Sequence, residues 1–149
     1  MTRLLFVVAV ALTFTATAAA SVKPGDFGLK VMNENLAGQF DRTYDLLYPA
    51  QQKFVSKAKF MACFSEKFNA VAGATISDWK VTDTYSSVVA VPGTRRSVRT
   101  TAISVRFTIH LGKQSIPDAA TWHLPIVNGH WRWLLDDKTV SQIKTGTCS

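Results

Sequence analysis

Three histidines, two cysteines and ten carboxylates carry whatever chemistry this 149-residue chain can perform. His110, His123 and His130 lie 13 and 7 positions apart. No structural zinc site uses that spacing with only two cysteines, so no metal is expected. The chain contains no H-E-x-x-H, no G-x-S-x-G, no phosphate loop and no G-x-G-x-x-G. Zincin, serine-hydrolase and nucleotide-binding chemistry therefore have no sequence support, and no cofactor is expected. Cys63 and Cys148 form an even pair without a C-x-x-C motif, and in an oxidising compartment they are expected to make one disulfide. Closing a loop between positions 85 apart stabilises a fold by about 4–5 kcal/mol at most in the chain-entropy model. Its expected task is to pin the C-terminal tail onto an early helix.

The compartment is read from the N-terminus. Met1 to Arg3 are a basic start, Leu4 to Phe14 an apolar run too short to span a bilayer, and Ala18-Ala19-Ala20 a small-residue cleavage site. Residues 1–20 are expected to be a signal peptide, and 21–149 a single secreted, periplasmic or envelope domain. Loss of Arg3 changes the formal charge from +7 to about +6. Such a charge biases the protein toward anionic partners, among them lipid head groups, wall polymers and acidic proteins. Nucleic acid is not expected outside the cell, and Arg95-Arg96-Ser97-Val98-Arg99 sits where a turn is expected.

The elements follow from periodicity. Met32, Leu36, Phe40, Tyr44 and Leu47 recur every three or four residues and predict one helix over 30–47, ended by Pro49. Ser56 is placed to cap a second helix whose buried side holds Phe60, Cys63, Phe64, Phe68 and Val71, with Gly73 closing it. From Ile76 to Val91 the pattern predicts one long bent strand or two short ones, ending at Pro92-Gly93. On the next strand Ile103, Val105, Phe107, Ile109 and Leu111 share one face, and Ser104, Arg106, Thr108 and His110 the other. A turn is expected from Gly112 to Pro117. Asn128-Gly129 predicts a two-residue hairpin, which pairs Val127 with His130, Ile126 with Trp131, Leu124 with Trp133 and Trp122 with Leu135. Asp136-Asp137 suit the start of a short final helix through Val140 and Ile143.

Helices followed by a meander of long antiparallel strands, closing with Gly129-His-Trp-Arg-Trp-Leu135, resemble the NTF2-like, cystatin-type α+β cone. The stretch Tyr44-Asp-Leu-Leu-Tyr-Pro-Ala-Gln-Gln-Lys-Phe-Val-Ser56 resembles the junction of the first two helices in small exported bacterial members. The resemblance covers residues 25–137 and implies N-terminal helices packed on a curved antiparallel sheet, with the usual three helices reduced here to two clear ones. It carries little functional information, because the fold hosts isomerases, dehydratases and inert accessory domains alike.

Members that resemble ketosteroid isomerase use a carboxylate base and a tyrosine or acid donor inside the cone. Here the apolar sheet face offers no acid or base, so the candidates reduce to Tyr44, Asp41 and Asp45, with Tyr44 on the buried stripe and the two aspartates off it. The apolar interior suggests either a packed core or a cavity for an apolar small ligand. The opposite face groups Arg106, His110, His123 and Arg132 as a candidate partner surface, for an anionic envelope component, a protein or a second copy of the chain. The sequence thus points to a binding or accessory domain, with an isomerase- or dehydratase-like enzyme as the alternative.

Overall fold

A computed structural model describes residues 22–148, so the expected leader and its cleavage site lie outside the described residues. Four helices lead: α1 (Pro24–Leu36), α2 (Phe40–Asp45), the single turn α3 (Pro49–Gln52) and α4 (Lys57–Asn69). Three strands follow, β1 (Thr75–Ala90), β2 (Ser97–Leu111) and β3 (Gln114–Leu124), then the short hairpin β4 (Ile126–Val127) and β5 (His130–Trp131), and finally α5 (Asp137–Thr145). The sheet is antiparallel in the order β1-β2-β3, and the chain is α+β as expected.

The helix predicted over 30–47 is in fact two. Helix α1 begins earlier, at Pro24, where a missing amide costs nothing. It stops at Ala37, and Gly38 turns the chain with φ of 70°. The three-to-four spacing runs across this break because α1 and α2 turn their apolar sides to one core. Pro49 does not simply end a helix but opens α3, so the two helices expected before the strands become four. Ser56 caps α4 as predicted, its hydroxyl accepting from the Lys59 amide at 3.4 Å.

Strand β1 is one element of 16 residues, bent by register shifts between Ser77 and Lys80 and between Val81 and Asp83. On β2 the predicted parity holds at Ile103, Val105 and Phe107, all buried. Ala102 and Thr100 on the other face are buried as well, between the cross-strand neighbours Tyr85, Ser87 and His123. Pro117 is not part of the turn but lies within β3, an edge strand that tolerates the missing donor. Helix α1 lies close to the sheet because of two glycines: a Cβ on Gly25 would strike Val81, and one on Gly28 would press on Ile103 and Trp79 at 3.2 and 3.3 Å.

The largest departure concerns the C-terminal third. Asn128 and Gly129 adopt φ of 52° and 77°, and the pairs Val127–His130 and Ile126–Trp131 form. The ladder then stops, and neither Leu124–Trp133 nor Trp122–Leu135 is a pair. Pro125 interrupts the strand, while Trp133 bridges to Leu47: its amide donates to the Leu46 carbonyl at 3.2 Å and its carbonyl accepts from the Tyr48 amide at 3.0 Å. Trp122 and Leu124 lie opposite Ile103 and Thr101 on β2 instead. The Trp133 indole donates to the Thr43 carbonyl at 2.8 Å and meets the Phe60 and Phe64 rings edge-on, at 6.1 and 5.9 Å between centroids.

Two fastenings hold this tail. Cys63 and Cys148 are disulfide-bonded, with Cα atoms 5.1 Å apart, tying α4 to the residues beyond α5. Beside them Lys67 donates to the Thr139 hydroxyl at 3.2 Å, and burial there pushes its ammonium pKa down. The second fastening is Gln51, fully buried: its carboxamide oxygen accepts from the Leu135 amide at 2.9 Å and its nitrogen donates to the Leu135 carbonyl at 3.0 Å. Replacing Gln51 with Ala strands both groups of Leu135, at a cost of about 2–4 kcal/mol. The melting temperature should fall by about 10 °C. Gln51→Leu keeps most of the volume and should not rescue stability; rescue in a thermal melt would show that packing, and not the hydrogen bonds, matters.

Candidate functional site

Because the ladder ends early, a cleft of about 350 Å³ opens where the sheet stops. Trp122 and Leu124 from β3 and the segment from Trp133 to Asp136 give it apolar walls, and Ala90 and Pro92 close it from the β1–β2 side. His123 also lines it. Its Nδ1 lies 3.1 Å from the Ser87 hydroxyl and 3.5 Å from that of Thr100, and these two hydroxyls are 2.8 Å apart. The ring is therefore held through Nδ1, and Nε2 makes no hydrogen bond among the described residues. Asp136, the other ionisable group in the lining, is already committed. Its two oxygens accept from the Thr139 amide at 2.7 Å and the Thr139 hydroxyl at 2.9 Å, capping α5. An apolar recess with one orienting imidazole suits binding better than proton transfer.

The opposite end of the same sheet face carries a second network. The Ser77 hydroxyl donates to Asp78 at 2.7 Å and lies 2.8 Å from His110 Nε2, while His110 Nδ1 lies 2.9 Å from the Ser115 hydroxyl. With Ser77 donating to the carboxylate, Nε2–H donates to Ser77 and Nδ1 accepts from Ser115. In that order Ser115, and not Ser77, stands as a serine whose hydroxyl donates to a base. The adjoining groove is open, however, and its one cation, Arg106, is flanked by Asp78 and Asp118. Two carboxylates disfavour the negative charge that develops in acyl transfer. The network has a structural consequence: it holds Asp78 at φ of 56°, inside the first β1 irregularity, where Trp79 stacks on Phe107 at 5.5 Å.

The four residues grouped as a partner surface are thus divided. Arg106 and His110 lie at one end of the outer face, and His123 is paired with Ala102, eight positions along β2 from His110, or about 26 Å. Arg132 follows β5 and is absent from the register of the three-stranded sheet; its Nε is buried without a hydrogen-bond partner. Tyr44 donates its hydroxyl to the Val55 carbonyl at 2.8 Å, within reach of the Gln52 carbonyl at 3.3 Å. Asp41 is exposed, and Asp45 pairs with Lys57 at 2.9 Å on the surface. None of these three lines the cleft. No group of three or more potential metal ligands forms among the described residues. Ser87, Thr100 and Leu134 were missed as site residues; strand alternation places the first two beside His123, but only the tertiary course of 133–136 makes a cleft.

Asp78 is held below the usual aspartate pKa of 3.8, chiefly by the Ser77 hydroxyl, then by Thr108, with weaker help from His110. Stability from a depressed carboxylate is present above the unfolded pKa and is lost as pH falls through the folded one, so the contribution of Asp78 to this network is expected to disappear in acid below about pH 4. An NMR titration should find Asp78 the more acidic in the parent than in Ser77→Ala. Equal values in the two proteins would remove Ser77 as the cause.

No protein-family model matches the chain, and no curated protein matches it.

Proposed function

We propose that this chain is an exported binding protein of NTF2-like type that takes a small, mainly apolar molecule into the cleft at the end of the sheet. The cleft itself carries the reading. Its volume of about 350 Å³ lies within the range of roughly 300–1,000 Å³ typical of small-molecule sites. Its apolar walls and few polar groups, His123 and Thr121 among them, match the usual composition of such sites. His123 Nε2 supplies one hydrogen bond to a polar end of the ligand, and Trp122 and Leu134 contact the rest.

Export is supported by the leader-like residues Met1 to Ala20 and by the disulfide, which persists where thiols are not kept reduced. No described helix is long and apolar enough to cross a membrane. Binding is favoured over catalysis because the Tyr44 hydroxyl is spent on the main chain and Asp41 and Asp45 face solvent.

Native mass spectrometry of the non-reduced protein, purified from its own host, should show a small molecule bound at one-to-one stoichiometry. Leu134→Trp, which fills the cleft, should abolish that mass while leaving the melting temperature close to the parent's. His123→Ala should weaken retention by about tenfold, the worth of one hydrogen bond. A protein that arrives bare and takes up no apolar fluorescent probe would sink the reading.

A further inference from the structure

The β1–β2 hairpin reaches past the rest of the sheet. Pairing between β2 and β3 ends at Thr101–Leu124, whereas β1 and β2 stay paired to Ala90–Ser97. The four β2 residues from Ser97 to Thr100 therefore project beyond β3, by about 13 Å. The turn at the tip is fastened: the Val91 amide donates to the Arg96 carbonyl at 2.8 Å, the Thr94 hydroxyl donates to the Val91 carbonyl at 2.8 Å, and the Arg96 amide donates to the Thr94 hydroxyl at 3.0 Å. Underneath, the Phe54 ring fills the place where a Cβ on Gly93 would stand, and Gly93 has φ of 79°. Arg95 and Arg96 are held out by this turn, exposed, and Arg99 follows on the projecting part of β2. Lys144 of α5 stands over the same Phe54 ring, 5.0 Å from its centroid.

The ion pairs formed among the described residues are Lys30–Glu34 and Lys57–Asp45. Arg95, Arg96, Arg99 and Lys144 thus gather at one end without a carboxylate partner. Charge alone would suit any polyanion. Apolar side chains distinguish this end: Val88, opposite Arg99, is 66% exposed, the most open large apolar residue described, and Val89 and Val98 pair across the other face of the hairpin. A soluble polymer gains little from exposed valines, whereas a bilayer surface receives cations at its phosphates and apolar tips at the acyl boundary.

We propose that the projecting β1–β2 hairpin docks the protein on an anionic membrane surface, with Arg95, Arg96, Arg99 and Lys144 at the lipid phosphates and Val88 entering the interface. The proposal does not depend on what the cleft holds. Ala90 and Pro92, at the tip turn of the hairpin, are also cleft walls, so docking would place the cleft next to the bilayer.

The test is flotation of the protein recovered after export with vesicles of phosphatidylcholine alone or mixed with equal phosphatidylglycerol, in 0.1 M salt. The parent should bind only the anionic vesicles. Arg95→Ala/Arg96→Ala/Arg99→Ala should bind about 100-fold more weakly, at about fivefold per arginine. Val88→Ser should also weaken binding, and Arg106→Ala/Lys113→Ala, at the other end of the sheet, should not. All variants are checked by thermal melting, since these exposed residues are not expected to affect folding. Parent-like binding by the triple variant, or no binding of anionic vesicles by the parent, overturns the proposal. Tighter binding to soluble polyphosphate than to vesicles, with Val88→Ser unaffected, overturns it in favour of a polymer partner.

Discussion

One buried carboxamide governs how the C-terminal third of this protein reaches its place. Gln51 offers Leu135 an acceptor and a donor in the geometry a neighbouring strand would have offered, and its nitrogen also approaches the Pro92 carbonyl at 3.5 Å. The α3 turn is thereby joined to the final segment and to the β1–β2 turn at one point inside the core. Leaving either buried group of this carboxamide unsatisfied is costly, so the site specifies a single course for residues 133–136. The disulfide restrains the same tail further along, at Cys148. The two act differently: the carboxamide fixes geometry in the folded state, and the bridge limits the unfolded chain.

The cleft is the by-product of that arrangement. Had β5 continued along β3, Trp133 and Leu135 would have covered Leu124 and Trp122, closing the edge of the sheet. Trp133 is drawn instead into the helices, where Phe60, Phe64 and Phe68 stack in sequence at 4.0 and 5.7 Å between centroids. It still reaches Trp122, ring to ring at 6.4 Å, and Trp122 meets Trp79 edge-on at the same spacing. A continuous run of aromatic rings thus connects α4 to the sheet, and the cleft lies along one side of it. Its polar contribution comes from the outer face, where Ser87 and Thr100 set the His123 ring.

Much of the fold was legible in the residues. Ser56, Asn128-Gly129, Asp136 and the cysteine pair act locally or through simple compartment chemistry, and each does in the structure what its type implies. The helix break at Gly38 was hidden because apolar spacing reports which side faces the core and not whether the backbone is continuous. The register after Trp131 was hidden for a different reason. Alternation made Trp133 and Leu135 look like strand partners of Leu124 and Trp122, while the competing offers, the Leu46 to Tyr48 backbone and the Gln51 side chain, lie more than eighty residues away in sequence. The site suffered the same loss: His123 was recognised as a surface histidine, and the walls that make it a cleft residue depend on that long-range docking.

The central claim is that the functional surface is the cleft beside His123 and not the Arg106–His110 end of the same face. Chemical-shift mapping of the isotopically labelled, disulfide-intact protein with a short-chain fatty acid as apolar probe tests it most directly. The account predicts saturable shifts in the backbone amides of Ala90, His123 and Leu134 and in the Trp122 indole, with His110 and Ser115 unmoved. Shifts centred on Ser77, His110 and Ser115 would contradict it.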